Sequence, residues 1–206
     1  MFDAVVAVGA SVTLVLGSVA MLNVAMTTKT DLMQAWSIMY VFATLAAVSA
    51  VFATWIDSDS LLHIVPNVAA VGTVGGLWSG CRTFNGRRPR LIVLAVFLLA
   101  TGVSTAVELS GSGEWAGAPV TMAAVVILAI ASAHESARGD LVKLANGRII
   151  SIVCVVSSVW ATVRFVAFAV LGPADPIFDR YFNQTTTALV CLSGFVAVTL
   201  TTAMLE

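Results

Sequence analysis

IISIVCVVSSVWATVRFVAFAVL (149–171) runs for 23 residues with a single charge, Arg164. A helix that spans a bilayer needs about 20 mainly apolar residues, so this stretch is long enough to cross and too apolar to face water. Outward from it, the flanks GPADPIFDRYFNQ (172–184) and ESARGDLVKLANGR (135–148) collect charge, glycine and proline, and apolar runs resume beyond both. Repeating the reading along the 206 residues gives seven runs, at about 2–26, 32–55, 61–81, 91–108, 116–134, 149–171 and 185–205. They are separated by TTKTD (27–31), IDSDS (56–60), RTFNGRRPR (82–90), LSGSGEWAG (109–117) and the two flanks above. The expectation is one all-α domain over 1–206, an integral membrane bundle of seven transmembrane helices.

Composition points the same way. Hydrophobic residues make up 59% and charged residues 10%, against about 25% charged in water-soluble domains, and the mean hydropathy is +1.00. A net charge of −1 leaves no basic face for nucleic acid. The first run lacks a basic leader and is too long for a cleaved signal peptide.

Basic residues favour cytoplasmic loops. Lys29, Arg82, Arg87, Arg88, Arg90, Arg138, Lys143 and Arg148 fall in alternate gaps, and the other side holds only Arg180. Asp3, Asp57, Asp59, Glu114, Asp175 and Asp179 share the Arg180 side. The N-terminus is therefore expected outside and the C-terminus in the cytoplasm, in a multi-pass protein of a bacterial cell membrane. Arg82, Arg87, Arg88 and Arg90 read as topology anchors that meet anionic lipid.

GTVGGLWSG in the third run sets Gly72, Gly76 and Gly80 four residues apart on one stripe. Small residues at that spacing let helix backbones approach closely in lipid. Packing within the chain is the favoured use, and the seam of a homodimer is the alternative.

Ionisable groups inside a membrane are costly and mark functional sites. At 1.5 Å per residue, Arg164 lies roughly 24 Å above Arg148, in the outer half, with Trp160 one turn below. His63 and Asn67 open the outer half of the third run, and Glu108 ends the fourth at a similar depth. His63, Asn67, Glu108, Trp160 and Arg164 form a candidate pocket for a small-molecule or lipid-like ligand, with Arg164 as the anion anchor. A structural Arg164–Glu108 bridge is the competing reading. Cys81, Cys154 and Cys191 show no metal-ligand spacing and read as free, buried thiols. No catalytic motif, metal cluster or cofactor signature occurs, so the chain itself reads as a non-enzyme without cofactor.

LWSGCRTFNGRRPR (77–90) and NGRIISIVCVVSSVWATVRFVAFAVLGPADPIFDRYFNQTTTALV (146–190) resemble the membrane sensor regions that precede GGDEF diguanylate cyclase domains in bacteria. The matched positions are Arg82, Phe84, Gly86, Arg87 and Arg164. The resemblance implies a signal-transducing sensor with a cyclase domain following Glu206, which would make cyclic di-GMP from two GTP molecules. No GGDEF or GGEEF string occurs in these 206 residues. A small transporter or channel, or a structural subunit of a membrane complex, is the alternative expectation.

Overall fold

The computed structural model describes residues 12, 15–20, 22–23, 26, 31–53, 64–112 and 115–203. The regular elements among them are helices: α1 (Asp31–Ala53), α2 (Ile64–Phe84), α3 (Leu91–Ser112), α4 (Ala118–Ser136), α5 (Ala145–Leu171), the short α6 (Pro176–Phe182) and α7 (Gln184–Ala203), with a 3-10 turn at Leu141–Lys143. Among the described residues, α2, α4, α5 and the Leu91–Leu109 part of α3 are each long and apolar enough to cross a membrane. α1 and α7 carry the shorter apolar stretches Gln34–Ser49 and Leu189–Thr201. The expected first run, 2–26, lies mostly outside the described residues, although 15–20 is helical.

Burial runs opposite to that of a water-soluble protein. Ile92 is 82% exposed and Val170 75%, while Thr101 and Thr105 are fully buried. Lipid is as apolar as leucine and gives helices no hydrophobic reason to associate, so their contacts use small and hydroxylated residues instead. Several of these hydroxyls bond within their own helix: Thr105 Oγ1 donates to the Thr101 carbonyl at 2.9 Å, Ser132 Oγ to Leu128 at 2.8 Å and Thr73 Oγ1 to Ala69 at 2.8 Å.

α2 is the hub, packing against α1, α3 and α4. Its glycine stripe faces α1: Gly72 lies under the Phe42 ring, Gly76 against the backbone of Ile38 and Met39, and Gly80 under the Trp36 indole. As the α2 number rises the α1 number falls, so the two run antiparallel. On another face, Val71 and Trp78 pack with Ala124 and Leu128 of α4. α5 packs on α4 and carries α7, with Gly194 of α7 against Val153 of α5.

Helix ends depart from the apolar limits of the sequence. α2 continues through Arg82 to Phe84, and α5 begins at Ala145, because backbone bonding does not stop where hydropathy does. α5 ends at Gly172, in a left-handed conformation (φ 82°), whose N–H donates to the Phe168 carbonyl. The segment 172–184, read as a loop, contains α6. Asp175 accepts the Ile177 N–H at 2.8 Å and Pro176 fills the first turn, a strong start signal. Phe178 then turns fully inward.

A Cβ at Gly76 would stand 2.6 Å from Met39 Cα, a backbone atom that cannot swing aside. Gly76→Ala is expected to lower the thermal midpoint in detergent, at a cost of about 1–3 kcal/mol. Gly102→Ala, whose Cβ would meet nothing closer than Val68 Cγ2 at 3.5 Å, is expected to leave the midpoint unchanged or raise it.

Candidate functional site

At the aromatic end of the bundle, the expected pocket divides in two. In the first part, Asn67 Nδ2 on α2 donates to Thr105 Oγ1 of α3 at 3.2 Å and to the Ala116 carbonyl at 3.0 Å. Glu108 accepts the Gly117 N–H on Oε2 at 2.9 Å and the Ser104 hydroxyl on Oε1 at 3.2 Å. Asn67 and Glu108 thus satisfy the backbone of the turn before α4, whose groups would otherwise be stranded in an apolar setting. Gly117 is required there: its φ is 70°, and a Cβ would come within 2.8 Å of Thr105 Cα.

The second part belongs to α5, α6 and α7. Arg164 Nε donates to the Phe182 carbonyl at 3.2 Å, and Cys191 of α7 lies within electrostatic reach of the guanidinium. The Trp160 ring packs on Phe182 at 5.4 Å rather than on the guanidinium, and its buried Nε1 has no hydrogen-bond partner among the described residues. Arg164 makes no ion pair with Glu108; among the described residues the ion pairs are Arg82–Glu135, Arg87–Glu135 and Lys143–Asp140. His63 lies outside the described residues. A ladder of rings joins the two parts, from Trp115 through Phe178 (5.6 Å) and Phe182 (5.9 Å) to Trp160.

The opposite, arginine-rich end holds a network that sequence reasoning did not assemble. Glu135, at the end of α4 and 3% exposed, faces Arg82 and Arg87, each with Nη1 at 3.4 Å. Asn85 Nδ2 donates to the Glu135 carbonyl at 2.8 Å, and Asn85 Oδ1 accepts the Leu141 N–H at 3.3 Å. Arg82 also donates through Nε to the Arg88 carbonyl at 3.2 Å and lies over the Trp78 ring at 5.4 Å. Ser151 of α5 closes the set by donating to the Ser136 carbonyl at 2.6 Å. Gly139 (φ 66°) sits against Asn85, where a Cβ would lie 2.5 Å from Oδ1. Arg82, read as a lipid anchor, therefore turns inward to a carboxylate that the half-exposed Arg87 also reaches, while Arg88 and Arg90 remain exposed. The available signal was an acidic residue at the end of an apolar run on the basic side.

Cys81 and Cys154 are buried free thiols in one apolar cluster, and Cys191 is a free thiol that is exposed rather than buried. Asn183, in a glycosylation-like triplet, caps α7 by accepting the Thr186 N–H at 2.8 Å. No protein-family model matches the chain, and neither the curated proteins nor the solved structures give a significant match.

Removing one partner from a buried ion pair strands the other, at about 3–5 kcal/mol. Glu135→Ala is expected to destabilise the bundle by that order, read as a fall in thermal midpoint in detergent. Arg88→Ala, at an exposed side chain, is expected to leave the midpoint within error of the parent.

Proposed function

We propose that the chain is the sensory part of a membrane signalling protein, crossing the bilayer seven times, with its arginine-rich end in the cytoplasm and a ligand site around Arg164 in the outer half. The eight-to-one distribution of basic residues supports the orientation. Arg82, Arg87, Arg88, Arg138, Lys143 and Arg148 flank the α2–α3 and α4–α5 connections, while Arg180 lies on α6 beyond the far end of α5. The likeness of 77–90 and 146–190 to the sensor regions of diguanylate cyclases supplies the output: a cyclase domain driven through the last helix.

The observation that carries the reading is the bond from Arg164 to the Phe182 carbonyl. Phe182 is the last residue of α6, and Asn183 next to it caps α7. A ligand that draws the guanidinium away releases the α6–α7 junction, and α7 is the helix that leads to the C-terminus. A ligand shifts a conformational balance only through unequal affinity for the two states. Here the inequality lies in one hydrogen bond, from Nε, which loosens when a ligand held on the terminal nitrogens pulls the guanidinium away. The Glu135 network holds the cytoplasmic ends of α2 and α4 together meanwhile, so the movement is confined to α7.

Two measurements test this. In a variant lacking the native cysteines, a cysteine replacing Asp179 is expected to react with an impermeant maleimide on intact cells, and one replacing Arg88 is not; the reverse pattern overturns the orientation. With a cyclase domain fused after Glu206, Arg164→Gln is expected to change cyclic di-GMP production about tenfold, the effect of one charged hydrogen bond. A folded Arg164→Gln fusion with parental output and response would remove Arg164 from signalling.

A further inference from the structure

We propose that the cleft between α5 and α7 binds one anionic lipid amphiphile from the outer leaflet, its headgroup on Arg164 and Trp160 and its acyl chain along the helices below. The inference rests on the outer-half site proposed above and names the class of ligand it takes.

The head of the site is defined by donors without acceptors. A guanidinium carries five N–H donors. Arg164 uses Nε on the Phe182 carbonyl, and its two terminal nitrogens meet no hydrogen-bond acceptor among the described residues. One turn away, the buried Trp160 Nε1 is likewise unpartnered among the described residues. Within a membrane such groups are expensive, and the acidic residue once expected to meet them, Glu108, is committed to Gly117 and Ser104. An unpaired cation beside an orphan N–H calls for an anion with more than one acceptor oxygen, as phosphate and carboxylate both have.

The tail of the site is an apolar cleft, open to the side. Ile152, Val153, Val156 and Ser157 of α5 face Leu189, Val190 and Gly194 of α7 across it. Val153, Ser157, Trp160 and Arg164 fall at successive three- and four-residue steps, hence on one stripe of α5. The cleft lies along the helix face that carries the guanidinium, and its uppermost α5 residue, Ser157, is two turns, roughly 10 Å, below Arg164. A free inorganic anion would use the head and leave the cleft empty. A neutral lipid would fill the cleft and leave the cation unmet. An anionic amphiphile satisfies both.

The test uses the full chain, reconstituted into vesicles of mixed phosphatidylglycerol and phosphatidylcholine, extracted, and examined for retained lipid by native mass spectrometry. The parent is expected to retain phosphatidylglycerol in preference. Arg164→Gln is expected to weaken retention about tenfold, as loss of a charged hydrogen-bonding partner does, with Arg164→Lys in between. Ser157→Trp, which blocks the cleft and leaves the cation intact, should also weaken it, and it keeps the test decisive should Arg164→Gln fail to fold. Circular dichroism and a monodisperse elution profile certify folding. Added oleate should compete, and inorganic phosphate should not.

Retention unchanged in folded Arg164→Gln or Ser157→Trp overturns the proposal. So does displacement by inorganic phosphate, which would make the ligand a free anion. A change from dimer to monomer in Ser157→Trp with lipid retention intact would assign the cleft to a second copy of the chain and also overturn it. Lipid retention is read without any output domain. Specific retention alongside a cyclase fusion indifferent to Arg164 would leave the lipid site standing and remove the sensory reading.

Discussion

At Gly76 the backbone of α1 presses on the backbone of α2, with no side chain between them. Much of the fold depends on that approach. Dispersion forces and shape must hold helices together where lipid offers no hydrophobic gain, and both act only at short range. Bringing α1 in along Gly72, Gly76 and Gly80 seats Trp36 and Tyr40 in the interior. Tyr40 there meets Phe195 of α7 edge-on at 5.6 Å. The other faces of α2 remain available to α3 and α4. One stripe of missing side chains thus organises four helices.

The two ends of the bundle have different physical characters. The arginine end is densely cross-linked: a buried carboxylate facing two guanidiniums, an asparagine that bonds two connections at once, and Gly139, where a Cβ would not fit. The aromatic end is held by stacked rings and single hydrogen bonds, and among the described residues it leaves donors of Arg164 and Trp160 unmet. Buried polar groups without partners are costly, and they collect where a protein has something to bind. An end cross-linked by several side chains makes a fixed base, and an end whose cation meets no counter-charge among the described residues is where a ligand has work to do.

Helical character and the places of four helices long and apolar enough to cross a membrane were legible from sequence because hydropathy is local. Gly72, Gly76 and Gly80 were legible as a close-packing stripe for the same reason, since four-residue spacing fixes a face whatever the neighbour. α6 was missed because Asp175-Pro176 was read as a loop breaker, although the same pair starts helices. The four-residue constellation of His63, Asn67, Glu108 and Arg164 was drawn by depth alone. Depth gives height along a helix and says nothing of angle around the bundle, which is why Asn67 and Glu108 share one cluster and Arg164 belongs to another. Glu135 and Asn85 were overlooked because their significance lies in residues about fifty positions away.

The pairing of Arg82 and Arg87 with Glu135 also imposes an order in time. The chain is made from its N-terminus, and Arg87 is synthesised 48 residues before Glu135, an interval of about 2–10 s at ordinary elongation rates of roughly 5–20 residues per second. Through that interval the carboxylate does not yet exist, and the guanidiniums act at full charge on the turn of the nascent α2–α3 hairpin. When α4 arrives, Arg82 gains a buried carboxylate partner that the half-exposed Arg87 also reaches. Charges that begin without a partner become a lock on the finished fold as the chain lengthens.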